Sequence, residues 1–276
     1  MIAELNQAAR RVGAALAQWC AERKFAGTRQ GTQFKAEVDQ WAHEIWVREL
    51  QVLAPGTRIV SEEDPQSFTA NSSGDYWIID PLDGTASFVE GFPGWVTQAA
   101  WMENHVPVAG VVCAPLSNEV FQAEAGRGAF HNGRRLRLDR AAPVASLVDN
   151  YREPRGIAAA AMHRFGIPRY LESGSIGLKI CRVASGQADI FVKDVGVKSW
   201  DVAPGDLILA EAGGVLTTLD GNPVDYRSRL GHAGLIASRS PVFGRALADW
   251  AGARRMAAET GPALLLAPAN LVPPCP

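Results

Sequence analysis

A layered fold of helices and sheets, α/β or α+β, is the class this sequence predicts, on three observations. Residues 2–53 carry two long stretches of helical periodicity, and residues 76–138 switch to short apolar runs broken by turn residues. From about Leu147, strand-like and helix-like segments alternate. Taken in order, Ile2, Leu5, Ala9, Val12, Leu16 and Trp19 mark one face of a helix over 2–24. Val38, Trp41, Ile45 and Leu50 predict a second helix over 37–53, stopped by Pro55-Gly56. Arg58-Ile59-Val60 reads as a short strand that delivers Ser61-Glu62-Glu63-Asp64. Tyr76-Trp77-Ile78-Ile79 is too apolar for an exposed strand and ends at Asp80-Pro81-Leu82-Asp83-Gly84-Thr85. Strands over 95–102 and 106–113 flank the turn Glu103-Asn104-His105. A strand over 119–123, the turn Gly126-Arg127-Gly128 and a strand from Gly133 to Leu138 follow. The second part predicts helices over 175–185 and 202–212, and strands over 188–192 and 235–237. The expected organisation is a first unit over 1–145, a second over 146–256, and an Ala/Pro-rich tail over 257–276.

Composition narrows the function classes. Hydrophobic residues at 47% against 20% charged exclude a largely disordered chain. A net charge of −2 is not the basic footprint of a nucleic-acid binder, so no nucleic-acid partner is expected. No apolar run approaches the roughly 18 residues of a membrane span. Met1-Ile2-Ala3-Glu4-Leu5-Asn6 lacks a cationic, then apolar, secretory leader. Cys20, Cys113, Cys181 and Cys275 form no CxxC pair, which argues against a zinc site or a disulfide scaffold and for a cytoplasmic protein. His43, His105, His131, His163 and His232 show no metal spacing and read as structural or surface residues.

The chemistry lies where carboxylates gather at strand ends. Asp80 and Asp83 flank a Pro-Leu pair, and proline fixes φ, so both carboxylates are held in one rigid turn. Gly84 admits close backbone approach, and Thr85 adds a hydroxyl and an N–H. A helix starting there would present free N–H groups to an anion. Carboxylates beside a phosphate cradle require cations between them, and hard oxygen ligands favour Mg²⁺. Each piece also has a plainer reading. Asp-x-x-Asp-Gly alone is an ordinary turn, Ser61-Glu62-Glu63-Asp64 alone is a solvated acidic loop, and Asp201 alone is a helix N-cap.

The ordered set is more specific than its pieces. Ser61-Glu62-Glu63, then Trp77 through Phe88 across Asp80-Pro81-Leu82-Asp83-Gly84-Thr85, then Trp200-Asp201-Val202-Ala203 through Glu211-Ala212-Gly213-Gly214 closely resemble the inositol monophosphatase family. Gly126 through Gly133, Gly174-Ser175 and Val183 through Asp189 support the match, which spans about residues 5–240. The resemblance implies an αβαβα sandwich like that of inositol monophosphatase and fructose-1,6-bisphosphatase, and a Mg²⁺-dependent, lithium-sensitive phosphatase, commonly dimeric. It implies one metal on Glu62, Asp80 and the Leu82 carbonyl, a second on Asp80, Asp83 and Asp201, and a weaker third near Glu62, two to three ions per site. One cation would lower the pKa of a bound water and the other would steady the leaving alkoxide. Thr85 would pair with an upstream Asp to orient the attacking water, and Asp39, 23 residues before Glu62, is the candidate. This sequence departs from the family pattern at Ala36, Ser87 and Pro204. Proline is tolerated in a first helical turn, where Pro204 is expected.

On the substrate side the resemblance points to Asp83, Gly84, Thr85, Gly174, Ser175, Asp194 and Asp201. Asp194 stands where the family has a Glu that binds substrate hydroxyls. The expected substrate is a small phosphorylated metabolite, a polyol or sugar monophosphate such as inositol 1-phosphate. The alternatives are 3′-phosphoadenosine 5′-phosphate, toward which Leu178-Lys179-Ile180-Cys181 leans, histidinol phosphate and fructose 1,6-bisphosphate. A non-catalytic role at the transcription machinery is a minor alternative. Trp95 and Trp101 are candidates for a dimer contact.

Overall fold

The structure, a computed structural model, describes residues 1–25, 32–68, 74–90, 92, 94–227 and 230–259. Two helices open the chain, α1 (Ile2–Phe25) and α2 (Thr32–Leu53). A seven-stranded sheet follows, with strands in chain order: β1 (Arg58–Ser61), β2 (Tyr76–Asp83), β3 (Val96–Glu103), β4 (Val106–Ala114), β5 (Glu119–Glu124), β6 (Gly128–His131) and β7 (Arg134–Arg135). β1 pairs with β2 in parallel, and each later pair is antiparallel. A short helix, α3 (Thr85–Glu90), leaves the end of β2.

The remaining elements build a second, five-stranded sheet. They are β8 (Ser146–Asp149), α4 (Gly156–Phe165), β9 (Arg169–Glu172), α5 (Ile176–Ala184), β10 (Ile190–Lys193), β11 (Val197–Lys198), α6 (Ser199–Ala212), β12 (Val215–Thr218), β13 (Gly231–His232), β14 (Leu235–Ser238) and α7 (Pro241–Glu259). The strand order is β12-β14-β10-β8-β9, with β8 parallel to both β9 and β10. β11 and β13 form a separate two-stranded ribbon.

Three apolar clusters fix the layers. Trp77 and Ile79 of β2 pack with Leu5, Val12 and Leu16 of α1 and Trp46 of α2. Their neighbours Tyr76 and Ile78 point the other way, into a cluster with Ile180 of α5, Ile208 of α6 and Phe191 of β10. This alternation buries both faces of the strand, which is why its sequence reads as a continuous apolar run. The far face of the second sheet carries Ile157 and Ala161 of α4 and Leu247 and Ala251 of α7. The result is helix pair, sheet, helix pair, sheet, helix pair, the αβαβα sandwich expected.

Several elements differ from the sequence reading. α2 begins at Thr32, and its fully buried line is Val38, Ala42, Trp46 and Leu50, an unbroken i, i+4 ridge; Trp41 and Ile45 flank it half-buried. The strand expected from Gly133 to Leu138 is only Arg134–Arg135, because the hairpin after Gly126-Arg127-Gly128 turns again at Asn132-Gly133, both with positive φ. β6, α4, β9, β11, β12, β13 and α7 had no predicted counterpart. Trp95 (1% exposed) packs on Phe88 and Trp101 (9%) on Trp77, ring centres 5.0 and 4.8 Å apart, so both fill this chain's own core and offer no dimer surface. Of the expected tail, residues 260–276 lie outside the described residues, as do the side chain of Ala36 and the thiol of Cys275. Cys20, Cys113 and Cys181 are buried and free.

Candidate active site

The carboxylates converge from three elements where the two sheet systems meet. β1 ends in a tight loop: the Ser61 hydroxyl accepts from Glu63 N–H at 3.3 Å and lies 2.8 Å from His43 Nδ1 of α2. That loop presents Glu62, which is exposed. At the end of β2, Asp80 is 1% exposed and its Oδ1 accepts from Leu82 N–H at 3.0 Å, an Asx turn that holds the carboxylate against its own backbone. From the second half, α6 delivers Asp201 in its first turn. One oxygen from each of Glu62, Asp80 and Asp201 falls in a group whose members all lie within 4.8 Å of one another.

Asp201 is not an N-cap. The helix begins at Ser199 with Lys198 as the capping residue, and Asp201 Oδ2 accepts back from Lys198 N–H at 2.7 Å. Pro204 therefore sits inside the helix and not in its first turn. Phe68, just past the Glu62 loop, stacks on Trp200 with ring centres 4.9 Å apart, tying that loop to the start of α6.

Asp83 lies beside this group and also reaches α5. Its Oδ2 accepts from Gly177 N–H at 2.8 Å and from the Gln98 side-chain amide at 3.4 Å. Thr85 starts α3 as anticipated, and its hydroxyl donates to the Leu82 carbonyl at 3.2 Å. Gly84 holds φ +90°, and a Cβ there would press on Ser175 Cβ at 3.2 Å and Trp95 Cα at 3.3 Å; only glycine satisfies both demands. Gly174 packs directly on the backbone of Gly94. The Ser175 hydroxyl accepts from Leu178 N–H at 3.1 Å and so caps α5. Asp39, on α2, is buried at 4% exposure.

The electrostatics are those of like charges crowded out of water. Burial first, then Asp83, Glu62 and Asp201, push Asp80 well above the usual carboxylate range. Burial, with Asp83 adding, lifts Asp201 to about 8. Asp83 is raised too by burial, against the Gly177 N–H and the Lys179 charge, which favour its ionised form. A set of convergent carboxylate oxygens that disfavour one another's charge, with no soft ligand among them, fits a hard divalent cation.

A cleft of about 230 Å³ has Asp149, Asn150, Tyr151, Arg155, Lys193 and Asp194 in its lining, and the Lys193 charge favours the ionised forms of Asp83 and Asp201. Asp194, singled out from sequence, is therefore in a cleft wall. Sequence reasoning gave no role to Lys179, which is 1% exposed, donates to Gly174 O at 3.1 Å and sits 3.8 Å from Asp149. Burial lowers its pKa to about 8. Gln98 and His43 were missed as well. A Gln within the apolar run Val96 to Met102 was the one visible signal for the first; a lone His gives none.

The model of the inositol monophosphatase family matches residues 1–250. "Inositol monophosphatase 2" of Solanum lycopersicum is 35% identical over 210 residues, covering 70% of this chain and 77% of that protein. "Nus factor SuhB" of Xylella fastidiosa is 33% identical over 199 residues, covering 68% and 70%. The solved IMPase of Thermotoga maritima superposes with a TM-score of 0.72 at 28% identity, over 90% of this chain and 96% of that one.

Proposed function

The chain belongs to the inositol monophosphatase family and is a phosphomonoester hydrolase, and from that premise we propose a Mg²⁺-dependent phosphatase of a small polyol or sugar monophosphate resembling inositol 1-phosphate. The observation that carries the reading is the convergence of Glu62, Asp80 and Asp201 oxygens from three separate elements. Asp83 and the Leu82 carbonyl would complete the ligand set. Divalent cations bound there supply charge neutralisation for the phosphoryl group and a water acidic enough to attack near neutral pH. The chain's own residues do the positioning that phosphoryl transfer needs. Glu62, with Thr85 and Asp39, orients the attacking water. Backbone N–H groups at Gly84 and Thr85, where α3 begins, receive phosphate oxygens. Asp201 and Asp194 accept hydroxyls of the leaving alcohol, with Gly174 and Ser175 shaping the wall.

The lining of the cleft that holds Asp194 supports a polyol over a bisphosphate nucleotide. Its carboxylates, Asp149 and Asp194, match hydroxyl donors. The test is phosphate release with Mg²⁺ from inositol 1-phosphate, glycerol 2-phosphate, histidinol phosphate, fructose 1,6-bisphosphate and 3′-phosphoadenosine 5′-phosphate, each with and without lithium. Preference for inositol 1-phosphate, with loss in lithium, supports the reading; preference for the nucleotide or histidinol phosphate overturns the substrate class. A homodimer is part of this reading, checked by light scattering at twice the 29.6 kDa of one chain. So is a cytoplasmic setting, in keeping with the three buried thiols.

A further inference from the structure

Gln98 is fully buried in β3, where its Cα pairs across the sheet with that of Asp80. Its side chain crosses from the first sheet to α6. Nε2 donates toward Asp83 Oδ2 (3.4 Å), the Trp200 carbonyl (3.2 Å) and the Asp201 carbonyl (3.2 Å). All three are acceptors, which fixes the amide orientation, since only the NH₂ end can face them. The other end pays for this. Gln98 Oε1 is buried with no hydrogen-bond partner among the described residues, and it abuts Gly177 so closely that a Cβ there would collide with it. Leaving an amide oxygen unpaired in the interior costs stability, so the donor end must contribute something in return.

Pro204 shows what that is. In a regular helix the N–H of residue 204 would donate to the carbonyl of residue 200. Proline has no N–H, so Pro204 withholds the donor from Trp200 O, the residue next to Asp201. Gln98 Nε2 supplies that missing hydrogen bond from outside the helix, and the same NH₂ touches Asp83.

We infer that Gln98 is a positioning residue that substitutes for the helix donor removed by Pro204, fixing Asp201 of α6 against Asp83 at the end of β2. The spacing of the acidic ligands thus depends on a Gln–Pro pair and not on helix geometry alone. The part of this inference that concerns cation binding rests on the function proposed above; the Gln98–Pro204 coupling does not.

The test is a double-mutant cycle on the full chain with Gln98→Met, which keeps the volume and removes the donor, and Pro204→Ala, which restores the helical N–H. Two readouts are taken: Mg²⁺ affinity by titration calorimetry, and thermal stability in chelator. Gln98→Met should weaken Mg²⁺ binding roughly 10–100-fold, as loss of a partner behind metal ligands does, and should lower the melting temperature. Adding Pro204→Ala should recover most of both. A filled space alone would not be rescued by a helix N–H, so an equal loss in the Pro204→Ala background overturns the inference, as does wild-type affinity in Gln98→Met. Should Gln98→Met fail to fold, the double variant decides: folded and binding supports the inference, unfolded overturns it. If wild-type protein binds no Mg²⁺, the function proposed above fails, and the stability cycle in chelator still supports or overturns the coupling.

Discussion

Two buried acids of this protein lie in similar depth and opposite company. Asp189 is 2% exposed, and its Oδ2 accepts from Ala145 N–H (2.7 Å), Ser146 N–H (2.8 Å) and the Ser146 hydroxyl (2.8 Å), while Arg239 sits 2.9 Å from Oδ1. Both oxygens have donors and the charge has a counter-charge. Asp80 is 1% exposed and has one backbone donor, Leu82 N–H, with Asp83, Glu62 and Asp201 as its charged company. The first arrangement is self-sufficient and ties β8 to β10. The second crowds more negative charge than the nearby Lys179 and Lys193 offset, so its carboxylates favour added positive charge. Burial alone does not mark a functional carboxylate; burial among like charges does.

The comparison predicts opposite kinds of damage. Asp83→Asn should lower phosphate release by several orders of magnitude, since phosphoryl transfer depends on cation charge and position, with circular dichroism unchanged; turnover at the wild-type level from the folded variant would contradict the site. Removing divalent cations with chelator should abolish release, and adding Mg²⁺ back should restore it. Asp189→Ala should instead act on the fold, leaving Arg239 and two backbone donors buried without their acceptor. Denaturant unfolding should show a loss of about 3–5 kcal/mol, while turnover per folded molecule stays at the wild-type value.

A third buried acid gives the smallest effect and sharpens the contrast. Asp206 of α6 is raised to about 6 by burial, held against a larger shift by the Tyr226 hydroxyl donating at 2.8 Å. A carboxyl whose pKa is higher folded than unfolded favours the protonated fold. Its contribution is complete below about pH 4 and is lost as pH rises through 6, about 3 kcal/mol in all. Asp206→Asn should flatten the fall in stability between pH 4 and 7, measured by thermal unfolding at each pH.

The sequence made the acidic ligands legible because their spacing is dense and ordered, and Glu62, Asp80 and Asp201 do meet. It misread the residues whose meaning depends on where an element starts. Asp201 and Pro204 each follow a polar residue, Ser199 or Asp201, that could equally open the helix; the true start at Ser199 makes one an N3 acid and the other an internal proline. α7 carried a usable signal in Pro241 at its first position. Gln98 was out of reach, because its role exists only once β3 and α6, about a hundred residues apart, are in contact. The Trp95 and Trp101 error has the same root: aromatic residues on a strand with two buried faces look, in one dimension, like residues on an interface.

The central claim, that acids from both sides of the sandwich form one cation-dependent phosphatase centre, is tested most directly by Asp201→Asn. Phosphate release from inositol 1-phosphate would be measured across a Mg²⁺ titration, beside the wild type. The account predicts saturable Mg²⁺ activation in the wild type, and in the folded variant a loss of orders of magnitude together with weakened Mg²⁺ binding. Matching titration curves for the two proteins would contradict it.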